Sequence, residues 1–177
     1  MAGQRLTDKT ALNNHTGTGD LFMLVDVSDT TGSAAGTSKK IDSKFIIQTD
    51  KISVSSSDVS GLNTAPKTLV SAPGAGYAVI PLNFTLFNTY ISTVTTKIRM
   101  IFGHTGSNDP LLSCAVIDNY MKGFTTDQTY ITSNQNSTQI TRINSIEDKP
   151  LYLSSNLTFG ADFSVDVYVT YQIILLS

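Results

Sequence analysis

Apolar and polar residues alternate most strictly near the C-terminus, where Phe163, Val165, Val167, Val169, Tyr171 and Ile173 interleave with Asp162, Ser164, Asp166, Tyr168, Thr170 and Gln172. A period of two sustained this long predicts a strand with one buried face, and such a strand belongs to a sheet packed on a second sheet. The same period predicts a strand over residues 77–86, with Ala78, Ile80, Leu82, Phe84 and Leu86 on the core side. Another is predicted over residues 94–102, with Thr96, Ile98, Met100 and Phe102 inward and Lys97 and Arg99 outward. Pro81 has no N–H to give a ladder, so an edge or a bulge is expected there. Asp109 followed by Pro110 has the form of a helix start, which suits one short helix over residues 111–120, while Val116-Ile117 suits a strand equally. Shorter strands are expected at 129–132, 139–143 and 151–153. Six to eight strands in about 110 residues is the density of a β-sandwich or jelly roll.

Upstream of this region the apolar pattern thins. Leu21, Phe22, Met23, Leu24, Val25 and Val27 form one clear strand, followed by a Gly, Ser and Thr tip and the run Ser38-Lys39-Lys40-Ile41, which together predict a hairpin. A two-stranded hairpin leaves an apolar face in water unless a partner covers it, so these six residues are the candidate attachment site. Residues 49–66 are rich in Ser with little periodic apolar content and are expected to be a linker. The expected fold is thus mainly β, with an N-terminal hairpin segment at 1–48, the linker at 49–66 and a jelly-roll-like β-sandwich at 67–177. At its end, Ile173-Ile174-Leu175-Leu176 breaks the alternation. Ile174 and Leu176 would be exposed on a monomer's edge, which makes them candidates for contact between copies of the chain.

Composition supports strands and loops. Charged residues are 15% of the chain against the usual value of about 25%, while hydrophobic residues are an ordinary 40%, so the remaining polarity is uncharged. Thr, Ser and Asn account for 55 of 177 residues, and Thr suits pleated surfaces while Ser and Asn suit turns. With a net charge of −2 and the Lys and Arg residues scattered, no basic stripe faces a phosphate backbone, and nucleic acid is not an expected partner. No run approaches the roughly 18 apolar residues of a membrane span, and no apolar run follows Met1 to Arg5. Synthesis in the cytoplasm without membrane insertion is expected. The sequons at Asn14, Asn83, Asn136 and Asn156 are what chance supplies in so Asn-, Ser- and Thr-rich a chain.

Candidate chemistry is sparse. Cys114 is the only cysteine, which excludes an intrachain disulfide and a multi-cysteine metal site. His15 and His104 sit in Gly- and Thr-rich segments, as exposed turn histidines do; His104, Ser107 and Asp109 have hydrolytic-triad identities but lie too close in one loop for triad geometry. An esterase built on Ser107 and His104 is therefore the weakest alternative. Gly32 to Lys40 lacks the order and spacing of a P-loop, and Gly74-Ala75-Gly76 leads into a strand instead of a helix, so it reads as a turn. Asp8, Asp20, Asp26 and Asp29 lack EF-hand spacing and read as turn and hairpin-flank residues. No catalytic, cofactor-binding or metal-binding residue is expected. The tyrosines Tyr77, Tyr90, Tyr120, Tyr130, Tyr152, Tyr168 and Tyr171 mostly suit strands; Tyr168, on the outer face between Asp166 and Thr170, is the one placed to meet a surface glycan.

Two stretches resemble the tail- and head-fibre proteins of tailed bacteriophages. The first is Arg5-Leu6-Thr7-Asp8 with Asp20 to Thr31 and Gly36-Thr37-Ser38-Lys39-Lys40-Ile41, similar to the N-terminal segment that attaches such fibres to the particle. The second is Thr68 to Ile80 with Val167-Tyr168-Val169-Thr170-Tyr171, similar to their C-terminal β-sandwich. The resemblance implies a virion-surface protein, made in the host bacterial cytoplasm, usually a homotrimer, with residues 1–48 bound to another capsid or tail protein and the sandwich facing outward. The chain has no long repetitive shaft, which favours a head fibre or capsid decoration over a receptor-binding tail-fibre tip. A soluble carbohydrate-binding β-sandwich is the alternative outside that class.

Overall fold

Each expected strand needs a neighbour for its N–H and C=O groups, and the pairing that satisfies them defines the architecture. The computed structural model describes residues 21–32, 34, 36–42, 45–105, 113–133 and 146–176. The chain divides into two units, Met1–Ile46 and Ile47–Ser177. In the first, β1 (Leu21–Asp26) and β2 (Thr37–Asp42) form an antiparallel pair, with Leu21 opposite Asp42 and Asp26 opposite Thr37.

In the second unit the described residues form β3 (Gln48–Val54), α1 (Ser56–Gly61), β4 (Lys67–Val70), β5 (Tyr77–Tyr90), β6 (Met100–Gly103), β7 (Ser113–Ile117), β8 (Gln128–Ser133), β9 (Leu151–Ser155) and β10 (Phe163–Leu175). They make two antiparallel four-stranded sheets, in the orders β3-β10-β5-β8 and β4-β9-β6-β7. The first of these eight strands pairs with the last, the second with the seventh, the third with the sixth and the fourth with the fifth. That nesting is one long hairpin rolled over itself, which is the topology of a jelly roll. The expected β-sandwich is therefore present, with eight strands.

The core lies between the sheets. Phe163, Val165, Val167, Val169, Tyr171 and Ile173 of β10 are all buried, as their alternation predicts, and face Met100, Phe102, Leu151 and Leu153 of the other sheet within one hydrophobic cluster. Phe84 of β5 meets Phe102 of β6 at 4.2 Å between ring centroids. Burying side chains of this size contributes about 1.5–3 kcal/mol each, and with no disulfide among the described residues this burial carries the fold.

The residues expected to be a linker belong instead to the sandwich. Residues 48–54 form an edge strand fully paired with β10. Ser55 caps α1 by accepting a hydrogen bond from Asp58 N at 3.1 Å, and Val59 and Leu62 are completely buried. Three core residues, Val54, Val59 and Leu62, are set among serines, too few for a period to show.

Three other expectations shift. Residues 113–117 are the strand β7, not part of a helix. The strand expected from Val94 begins only at Met100: Ile98 is buried as expected, Thr96 is exposed, and Val94 makes a single bridge to Lys122. In β5, Val79 and Pro81 are buried while Leu82 is 38% exposed, the reverse of the expected phase. The strand expected at 139–143 lies outside the described residues.

Candidate functional site

The hairpin tip is built by short polar side chains that hydrogen-bond the backbone of their own turn. Asp26 Oδ1 accepts from Ser28 N at 3.0 Å and Ser28 Oγ at 2.6 Å, and Asp29 Oδ1 accepts from Thr31 N at 3.0 Å and Thr31 Oγ1 at 2.6 Å. Thr37 Oγ1 donates to Asp29 O at 2.7 Å and accepts from Gly32 N at 3.0 Å, while Lys39 pairs with the second oxygen of Asp29. Turns of this kind replace missing ladder bonds with side-chain ones. The Lys39 ammonium, then the Thr31 hydroxyl, hold the Asp29 carboxyl down at about 2; the Ser28 hydroxyl lowers that of Asp26. Both aspartates are thus turn residues, as expected, and their oxygens are engaged within the tip. The tip coincides with the Val-Asp-Val-Ser-Asp-Thr-Thr and Gly-Thr-Ser-Lys-Lys stretches that resemble the fibre attachment segment.

Of the candidate attachment residues, Leu21, Phe22, Met23, Leu24 and Val25 lie in β1, opposite Asp42, Ile41, Lys40, Lys39 and Ser38, and Val27 follows it. Met23 is 81% exposed and Val27 76% exposed. The pair has no third strand among the described residues.

At the other end of the chain, Ile174 and Leu176 are half-buried, with Ile174 opposite Ala78 and Leu176 N donating to Gly76 O at 2.8 Å. The exposed member of the tail is Leu175, at 65%. The Gly74-Ala75-Gly76 turn is held by two acidic side chains, Asp148 Oδ1 accepting from Gly74 N at 2.9 Å and Glu147 Oε1 from Gly76 N at 2.7 Å. Both glycines have positive φ, which an L side chain rarely adopts.

His104 is buried at the end of β6, contrary to the exposed turn expected of it. Burial pushes its pKa down against the backbone carbonyls of Pro150 and Lys149 that its ring faces, and Nδ1 has no hydrogen-bond partner among the described residues. Burial pushes the Cys114 thiol up to about 12, so little thiolate forms at neutral pH. Ser107, Asp109, His15, Asp8 and Asp20 lie outside the described residues.

The tyrosines do not form a common platform. Tyr120 and Tyr171 are buried, Tyr120 donating to Asn88 Oδ1 at 2.6 Å and Tyr171 to Asp50 Oδ2 at 2.8 Å. Tyr168 does reach the outer face of the β3-β10-β5-β8 sheet, as expected. It meets the exposed Phe87 edge to face at 5.6 Å between centroids, with Lys51 Nζ 5.8 Å from its ring. Phe87 lies one residue beyond the strand expected at 77–86, and its exposure continues the alternation in which Phe84 and Leu86 point inward.

No family model matches the chain, and no curated protein does. Among solved structures, a chain of the cyanophage Pam1 capsid asymmetric unit aligns with 17% identity over 99% of both chains, at a TM-score of 0.40. A chain of the Israel acute paralysis virus crystal structure aligns with 9% identity over 97% of this chain and 96% of that one, at a TM-score of 0.30. Likeness of that degree does not carry a shared role.

Proposed function

We propose that the chain is a structural, non-enzymatic protein of a bacteriophage particle, a head fibre or capsid decoration joined to another virion protein through its N-terminal segment. The observation that carries this reading is the β1–β2 hairpin. It is an ordered strand pair with Met23 and Val27 in solvent, and it is too small to be stable without a covering surface. Its tip is made from the residues that resemble the fibre attachment segment. A β-strand partner on a free edge supplies main-chain hydrogen bonds for affinity and alternate side chains for specificity. The jelly roll is compatible with this role, although fold alone does not assign one. On this reading the protein sits on the virion surface as a homotrimer, with the sandwich outward.

The truncation that tests this reading ends at residue 46, because the second unit begins at Ile47, ahead of the expected boundary at 48. Gln48 already pairs with Tyr171 in the sandwich, accepting a hydrogen bond from its hydroxyl at 2.8 Å. Removal of residues 1–46 is expected to leave a folded sandwich that no longer joins particles. Recovery of the truncated chain on particles at normal copy number would overturn the proposal.

A further inference from the structure

A cleft of about 500 Å³ opens where the end of β3 and the loop leading to α1 meet β10 and β5. Hydroxyls from three segments line it: Ser53, Ser55, Ser56, Thr89 and Ser164. Ser53 Oγ donates to Asp166 Oδ1 at 2.6 Å, and Ser55 Oγ caps α1. The hydroxyls of Ser56, Thr89 and Ser164 have no side-chain hydrogen bond among the described residues, which leaves them for a ligand.

Charge in the cleft is balanced. Its two carboxylates, Asp58 and Asp166, are each paired with a lysine, Lys67 at 3.1 Å and Lys51 at 2.8 Å, and those lysines hold both carboxyls below the usual range. A site with two negative and two positive groups favours neither an anion nor a divalent cation. Its carboxylate oxygens still have acceptor capacity for neutral hydroxyl donors.

Exposed apolar side chains border the cleft. Ile91 lines it at 54% exposure, and Phe87, 49% exposed, lies just outside the lining, opposite Asp166 and two residues before Thr89 on β5. The Phe87 and Tyr168 rings meet nearly at right angles, 5.6 Å apart between centroids. Free hydroxyls, neutralised carboxylates and an exposed aromatic ring next to the lining match the two surfaces of a pyranose, hydroxyls around its edge and C–H groups on its face.

We propose that this cleft binds a neutral saccharide, with Phe87 stacking on the sugar face and Ser56, Thr89, Ser164 and Asp58 meeting its hydroxyls. A saccharide bound here requires no virion role for the chain, so the two proposals stand or fall separately.

The full chain, labelled with ¹⁵N, is titrated with glucose, galactose, mannose, N-acetylglucosamine and their disaccharides to about 50 mM, a range suited to millimolar affinity. Glucuronic acid and N-acetylneuraminic acid serve as charged comparisons. At least one neutral sugar is expected to shift the amides of Ser53, Thr89 and Ser164 saturably. Phe87→Ala is expected to weaken that binding by about tenfold, the scale of one lost aromatic contact, and Thr89→Arg, which fills the cleft from an exposed position, to abolish it, both with an otherwise unchanged spectrum. Absence of shifts with every neutral sugar, shifts confined to another surface, binding of the acidic sugars alone, or unchanged affinity in both variants would each overturn the proposal.

Discussion

Pro81 lies opposite Tyr171, out of step with the pairing of Asn83 and Thr170 two residues further on, so that Leu82 is an extra residue in β5. A bulge of this kind turns every later side chain to the other face of the sheet. It explains why Val79 and Pro81 are buried on one side of it while Phe84 and Leu86 are buried on the other. Among the described residues β8 pairs with Asn83 to Asn88, and Pro81 lies outside that stretch, where its missing N–H breaks none of the described ladder bonds to β8.

The phase change makes a direct prediction. Leu82→Asp is expected to change stability by no more than about 0.5 kcal/mol, as surface substitutions do, whereas Val79→Asp places an unpaired charge in the core and costs about 4 kcal/mol or prevents folding. Urea unfolding of the two variants checks it. Equal destabilisation by both would mean that β5 runs without the bulge.

His104 gives the sandwich a pH dependence of its own. Burial lowers its pKa in the fold from the value of 6.5 that it keeps in the unfolded chain, so the unfolded state binds the proton first. Stability is therefore expected to fall as pH drops from about 6.5 towards the folded-state pKa, and to be independent of His104 well above 6.5. The lowered carboxyls of Asp29, Asp58 and Asp166 act in a separate window, losing their contribution as pH falls from the unfolded-chain value of 3.8 towards their lower folded-state values. Urea midpoints at intervals from pH 7.5 to pH 4.5, about the span of histidine titration, are expected to decline in the native chain and to decline less in His104→Gln. Parallel profiles would show that the buried imidazole does not carry the effect.

The C-terminal tail bears on assembly. The half-burial of Ile174 and Leu176 removes the exposed pair on which a contact between copies was expected, and leaves Leu175 and the outer part of β5 as the apolar surface at that end. If the chain is a homotrimer held there, Leu175→Asp is expected to reduce the mass in light scattering from three chains to one without altering the circular dichroism of the sandwich. A monomeric mass for the native chain at micromolar concentration would refute the trimer, and a trimeric mass for the variant would place its contact elsewhere.

Legibility in the sequence followed the amount of apolar surface each element presents. β10 was readable residue by residue because its inner face is wholly apolar and its outer face mostly polar. α1 and β3 were not, because Val54, Val59 and Leu62 are single apolar residues among serines, and their burial depends on a neighbouring strand about 110 residues away. β7 was ambiguous because it is an edge strand with Val116 42% exposed, so its alternation is broken on the solvent side. The cleft was invisible for a different reason. Its hydroxyls belong to three segments that only the jelly-roll pairing brings together, and each alone is an ordinary serine or threonine.

The hairpin offers the sharpest test of attachment. Met23 in β1 and Val27 just after it are exposed beside a tip held by the Asp29–Lys39 ion pair and by Thr37, so both side chains face solvent where a partner would dock. The apolar area they bury on docking adds to the main-chain bonds of a paired edge. Met23→Asp and Val27→Asp are each expected to remove the chain from purified particles while leaving the urea midpoint of the sandwich unchanged, since neither residue belongs to its core. Asp29→Ala is expected to act more weakly, loosening the tip without charging the strand. Quantitative electrophoresis of particles assembled with each variant reads the copy number directly. If Met23→Asp and Val27→Asp particles retain the native copy number while the deletion of residues 1–46 does not, the attachment surface lies in residues 1–20 or on the β2 side of the hairpin, and the strand reading fails.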